Sequence, residues 1–147
     1  MTSAEAERYW RSFFETYPSL KAWHDREYRE LKKGSTETRT LIGRRRTGVM
    51  KLTERLNSPV QGTGADGLKL ALALLWERRD ECPGVVPILA VHDEIVVECD
   101  EGDNQKVEAW LKKAMIDGMN EVVNGLKAEG PTVAIEVEVE TGRTWTR

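Results

Sequence analysis

Apolar and aromatic residues recur at helical spacing over residues 3–15, where Tyr9, Trp10, Phe13 and Phe14 share one face. Thr2 or Ser3 caps this segment, and Glu5 and Glu7 lie in its first turn. The aromatic face reads as core rather than as a base-stacking platform. Pro18 opens a second helix, predicted over 18–33, with Leu20, Trp23, Tyr28 and Leu31 as its apolar positions. Lys32, Lys33 and Gly34 end it with basic residues and then glycine. His24 sits among charged neighbours and reads as a surface residue. The period then changes. Thr36 to Ile42 is rich in threonine and β-branched residues, which predicts a short extended ribbon leading into Gly43-Arg44-Arg45-Arg46.

Asn57-Ser58-Pro59-Val60-Gln61-Gly62-Thr63 interrupts the pattern with helix breakers. Thr63 is the predicted cap of a third helix reaching about Asp80, with Asp66 in a box-like position. Leu68, Leu72, Leu75 and Trp76 form its stripe, widened by Ala71 and Leu74. After a Pro83-Gly84 turn, two apolar runs, Val85 to Val91 and Ile95 to Val97, flank His92-Asp93-Glu94. That pattern predicts a tight hairpin with the polar triplet at its tip, and Pro87 points to an edge or early-strand position. A fourth helix follows over 104–123, with Val107, Trp110, Leu111, Ala114, Met115, Gly118, Met119 and Val122 as its core stripe. Val133, Ile135, Val137 and Val139 alternate with Glu136, Glu138 and Glu140, which predicts a last strand with one acidic, solvated face. The order gives an α+β fold, a small antiparallel sheet of hairpin plus C-terminal strand covered by helices.

The 147 residues suit one compact domain. The longest apolar run, Leu70 to Trp76, is far short of the roughly 20 residues that span a bilayer, so no membrane partner is expected. The start of the chain lacks a basic stretch followed by an apolar one, so it does not read as a secretory signal. Cys82 and Cys99 make neither a disulfide framework nor a C-x-x-C zinc pair, which fits a reduced, cytoplasmic protein. Charge divides the chain. Residues 1–56 carry 13 basic and 8 acidic side chains, a net of +5, whereas 57–147 carry 9 and 17, a net of −8. This separates a basic helical and ribbon segment (1–56) from the remainder (57–147), and the first faces either solvent or an anionic partner.

Three groups carry candidate chemistry. Arg44, Arg45 and Arg46 cannot all be buried, so they meet solvent or phosphate, whose oxygens match the guanidinium fork. The amides of Asn57 and Gln61 both donate and accept, which suits base edges and equally suits loop capping. Asp93 and Glu94 at a hairpin tip supply the oxygen ligands that Mg²⁺ takes together with substrate phosphates. The other reading is a polar turn in which Asp93 bonds its own backbone.

These residues together resemble a known family. Val91–Glu98 is similar to the third polymerase motif of the family A DNA polymerases, the bacterial DNA polymerase I family. Asn57–Asp66, with Lys69, resembles the helix before that motif, and Gly43–Arg46 the Gly-Arg-Arg-Arg segment upstream of it, in the family's order. Glu136-Val137-Glu138-Val139 and Trp145 resemble the family's C-terminal end. The resemblance implies the end of the fingers and part of the palm of a DNA-directed DNA polymerase. It implies Asp93 as one of two metal-holding aspartates, Glu94 as the auxiliary carboxylate, and His92 near the primer terminus. Asn57 and Gln61 would read the minor groove beside the terminal pair, where acceptors are similarly placed in all pairs. Arg44, Arg45 and Arg46 would lie along the template–primer phosphates.

The family's first motif, of Asp-Tyr-Ser type, and its nucleotide-holding helix do not occur in this sequence; in the family both lie upstream. The stretch from Arg46 to Asn57 is also shorter than in well-known members, and no role passes to Lys51 or Arg55. The expectation is therefore the C-terminal part of a polymerase, inactive alone, with Mg²⁺ weakly held and primer–template DNA as partner. A dNTP would bind only with the upstream part, which a second chain could carry. The alternatives are a non-catalytic DNA-binding module and an inactive polymerase remnant.

Overall fold

The computed structural model describes residues 2–125 and 132–145. It is mostly helical, with two small antiparallel sheets. The elements are α1 (Ser3–Thr16), α2 (Pro18–Lys32), β1 (Thr38–Arg39), β2 (Arg45–Arg46), α3 (Leu52–Glu77), β3 (Pro87–Val91), β4 (Glu94–Val97) and α4 (Asn104–Val123). They belong to two compact units. One comprises the chain up to Arg39 together with Arg45–Pro59, the other Thr40–Arg44 together with Val60 onward.

In the first unit Thr2 caps α1 through a reciprocal box with Glu5. The Thr2 backbone N–H, then its hydroxyl, hold the Glu5 carboxyl below the usual carboxylate range. Pro18 starts α2, and Gly34 follows it with φ of +88°. The aromatic face of α1 is not core. Tyr9, Trp10 and Phe13 are exposed, and neither helix contains a buried residue. A two-helix hairpin has too little apolar surface to cover four rings. Phe14 alone turns partly inward, edge-on to Trp10, Phe13 and His24. His24 is thus a half-buried packing residue rather than a plain surface one.

The centre of this unit is polar. Arg55 is 5% exposed; its Nε donates to Glu27 Oε2 at 2.9 Å and its Nη1 to the Ser35 carbonyl at 3.0 Å. Truncating one partner of a buried ion pair costs about 3–5 kcal/mol because the other charge stays unpaired. Glu27 keeps a second contact with Arg26 and some access to water. Arg55→Ala is therefore expected to cost less, about 2 kcal/mol, read as a shift of the urea midpoint at constant m-value. A midpoint unchanged from wild type would remove Arg55 from the core.

Helix α3 differs most from its expected form. It starts at Leu52 and continues through Pro59, so Thr63 caps nothing. Proline lacks the N–H of an interior helical residue. Just before it, the Ser58 hydroxyl donates to the Glu54 carbonyl four residues back and accepts from Arg46 Nη1 at 2.6 Å. Thr63 Oγ1 instead accepts the Leu41 N–H at 3.1 Å. Trp76 leaves the predicted stripe. It is exposed, with the Arg79 guanidinium over its ring at 4.7 Å.

The core of the second unit is formed by Ala71, Leu75, Cys82, Val85, Ile95, Val107, Trp110, Leu111 and Ala114. Trp110 sits where α4 meets the end of α3, and its Nε1 donates to the Arg78 carbonyl at 3.0 Å. Asp117 of α4 accepts from Lys113 and faces Arg78 Nη1, both at 2.7 Å. First the Lys113 hydrogen bond, then Arg78, hold the Asp117 carboxyl below its usual range. A depressed folded-state pKa stabilises the fold at pH values above the unfolded value. That contribution is lost as pH falls through the folded one. Asp117→Asn is expected to flatten the acid limb of the stability curve below about pH 4, by a few tenths of a kcal/mol for this partly exposed group. Parallel acid limbs for variant and wild type would contradict this.

β3 and β4 form a hairpin with Val91 opposite Glu94 and a register irregularity between Pro87 and Leu89. Pro87 opens the strand, where its missing N–H is tolerated. The predicted last strand does not form. Residues 132–145 contain no strand, although Ile135, Val137 and Val139 are half-buried and alternate with exposed Glu136, Glu138 and Glu140. The alternation survives, but a strand also needs a ladder neighbour. Asn124, just past α4, helps tie this segment down. Its amide donates to the Val133 carbonyl and accepts the Val133 N–H, both at 3.0 Å.

Candidate active site and nucleic-acid interface

The Val91–Glu94 pair leaves only His92 and Asp93 in the turn. Glu94 is therefore the first residue of β4 rather than part of the tip. A two-residue hairpin turn requires φ above zero in its first half, which glycine usually provides. Here His92 takes that conformation, with φ of +55°. A non-glycine residue held there costs of order 1–3 kcal/mol, and such residues concentrate at functional sites. His92, Asp93 and Glu94 are all exposed. The hairpin thus presents the His92 imidazole and Asp93 carboxylate on its turn and the Glu94 carboxylate at the start of the next strand, all facing solvent.

Oxygen donors of this kind match Mg²⁺, which takes one or two protein carboxylates and completes its shell with water and phosphate oxygens. Among the described residues no group of three or more histidine, cysteine or acidic side chains could enclose a metal ion. Asp93 and Glu94 offer oxygen donors of the right kind but do not form a complete coordination shell among the described residues. Cys82 offers no nucleophile, since burial pushes its thiol pKa up.

Asn57 and Gln61 are exposed and lie four residues apart on α3. No loop exists at that position for their amides to cap. The arginine triplet is divided among three partners. Arg44 ion-pairs with buried Asp66 and donates to the Gly62 carbonyl at 2.9 Å, fastening the turn of residues 40–44 to α3. This replaces the capping position expected for Asp66. Arg46 reaches Ser58, and Arg45 approaches Glu37 at 3.4 Å. Arg39 gives no signal in the linear pattern. Only the ribbon register, which sets Arg39 opposite Arg45, marks it.

The family profile for DNA polymerase family A matches residues 1–147. The chain belongs to this family. It is 38% identical over 138 residues to DNA polymerase I of Aquifex aeolicus, across 92% of this chain and 22% of that protein. It is 35% identical over 153 residues to the thermostable DNA polymerase I of Thermus caldophilus, across 96% of the chain and 17% of the relative. Among solved structures it resembles the POL domain of Pol1 from M. smegmatis in complex with DNA primer-template and dNTP. The TM-score is 0.69 at 23% identity, over 80% of this chain and 23% of that one. This family A chain thus spans about a fifth of the length of these relatives. No helix among its described residues is long and apolar enough to cross a membrane.

Proposed function

We propose that this chain is the C-terminal part of a DNA-directed DNA polymerase and contributes one metal-holding aspartate and primer–template contacts to template-directed nucleotidyl transfer. The observation that carries the reading is the exposed Asp93–Glu94 pair beside a left-handed His92, in a chain matched end to end by the family profile. Asp93 holds magnesium, with Glu94 as the neighbouring carboxylate. Bound magnesium supplies charge stabilisation to the attacking 3′-hydroxyl and the departing pyrophosphate. His92 approaches the primer terminus. Gln61 and Asn57 offer amide donors to minor-groove acceptors, which tests pair shape rather than sequence. Arg44, Arg45 and Arg46 track the phosphate backbone.

Alone, this chain lacks a second metal aspartate and a nucleotide-holding helix, so positioning and charge stabilisation are both incomplete. The dNTP is held with the rest of a polymerase domain, joined to this chain or supplied by a second one. Two free cysteines suit the reducing cytoplasm.

The test uses a labelled primer–template, dNTPs and Mg²⁺. The chain alone is expected to bind the duplex with a salt-dependent Kd and to add no nucleotide. Combined with the preceding part of a family A polymerase domain, it is expected to extend the primer. Extension by the chain alone would overturn the claim of inactivity. Binding without extension by the combination would leave a DNA-binding module, and no binding at all an inactive remnant.

A further inference from the structure

In an antiparallel ribbon, residues directly opposite each other share a face, and successive residues alternate. Thr38 pairs with Arg46, and Arg39 with Arg45. Thr38 is buried, and Arg46, although exposed, is held back by its bond to Ser58 on α3, so this is the face engaged with the rest of its unit. Arg39 and Arg45 therefore form the outward face, at 58% and 59% side-chain exposure. Glu37, two residues before Arg39, lies on the same side. Its Oε1 sits 2.7 Å from Arg39 Nη2 and its Oε2 3.4 Å from Arg45 Nη1. Like charges opposite each other on a sheet repel. Here one carboxylate bridges the two guanidiniums, one oxygen to each.

We propose that Arg39 and Arg45 form a two-arginine seat for a backbone phosphate of the duplex, with the Glu37 carboxylate as its internal placeholder. Guanidinium forks donate to phosphate oxygens with the same two-oxygen geometry they offer a carboxylate. A phosphate displaces Glu37 and inherits both partners. Arg39 and not only the Gly43–Arg46 segment thus supplies the phosphate contact. This assignment rests on the DNA-binding reading above and adds a residue and a competitor to it.

The experiment titrates a primer–template duplex against the full chain over 50–200 mM salt, without nucleotide. Each lost phosphate contact lowers the slope of log K against log salt by about 0.9. Arg39→Ala is expected to lower the slope by about that amount, and Arg39→Lys to restore it. Glu37→Gln is expected to tighten binding several-fold at 50 mM salt, with the gain shrinking as salt rises. Melting temperatures of the variants report the fold separately, because a merely structural role does not change a salt slope. If wild type binds and Arg39→Ala keeps its slope, this inference alone falls. If wild type binds no duplex, the DNA-binding reading falls with it. A titration with dATP alone separates the two phosphate sources: wild type is expected not to bind it, and dATP binding that Arg39→Ala abolishes while the DNA slope is unchanged would overturn the backbone assignment.

Discussion

Asp93→Asn is expected to reduce primer extension about a thousandfold in the chain combined with the rest of a polymerase domain, while duplex affinity changes little. Asp93 is exposed at a two-residue turn, so the amide replaces the carboxylate without disturbing the core. The volume is the same and the charge is gone. Losing a preorganised group aimed at developing charge costs roughly 10²–10³ in rate, and a metal ligand belongs at the upper end. DNA affinity comes mainly from phosphate contacts, so it should survive. Glu94→Gln should cost less, because the role proposed for Glu94 is that of an auxiliary ligand among several. Single-turnover extension with saturating duplex measures this. A rate within tenfold of wild type for Asp93→Asn would take Asp93 out of the metal site.

Gly118→Val is expected to cost about 3 kcal/mol and to lower the melting temperature by about 10 °C. Gly118 lies on α4 where that helix meets α3 within the second unit. A Cβ there would sit 2.6 Å from the Ala71 backbone nitrogen and 2.9 Å from the Gly67 carbonyl oxygen. Both are backbone atoms of a helix, so neither can swing aside, and the helices would have to separate. Gly118→Ala should be milder, because the gain in helix propensity of about 1 kcal/mol offsets part of the clash. Gly67→Ala faces mainly the flexible Met119 side chain and should be tolerated better still. Thermal unfolding followed by far-UV circular dichroism ranks the three. A Gly118→Val protein melting at the wild-type temperature would show that the helices do not approach this closely.

What the sequence reveals depends on where the governing interactions lie. The extents of α1, α2 and α4 follow from period, caps and breakers, which are local. The hairpin follows from two apolar runs around a polar triplet, and its tip is the part of the site that the sequence exposes best. Pro59 misleads because a local rule meets a helix sustained on both sides, with Ser58 and Arg46 supplying polar partners beside the proline. Residues 133–139 mislead in the opposite way. Their alternation is genuine, but a strand is defined by a neighbour, and no residue pattern supplies one. The rings of α1 look like core because periodicity reports amphipathicity and not what covers the apolar side. Arg39 and Arg55 depend on long-range pairing, the first on ribbon register and the second on a contact with Glu27, 28 positions away.

The hairpin that carries Asp93 also has a consequence for handling the protein. It has two strands, and Ile88 and Leu89 on its first strand, with Val86 just before it, meet solvent. Unpaired backbone along an apolar strand invites stray strands from other molecules. Expressed by itself, the chain should lose soluble yield as concentration rises, and the segment responsible is the same one that holds the Asp93 turn in place. A charged residue at Ile88 would make the isolated chain easier to purify.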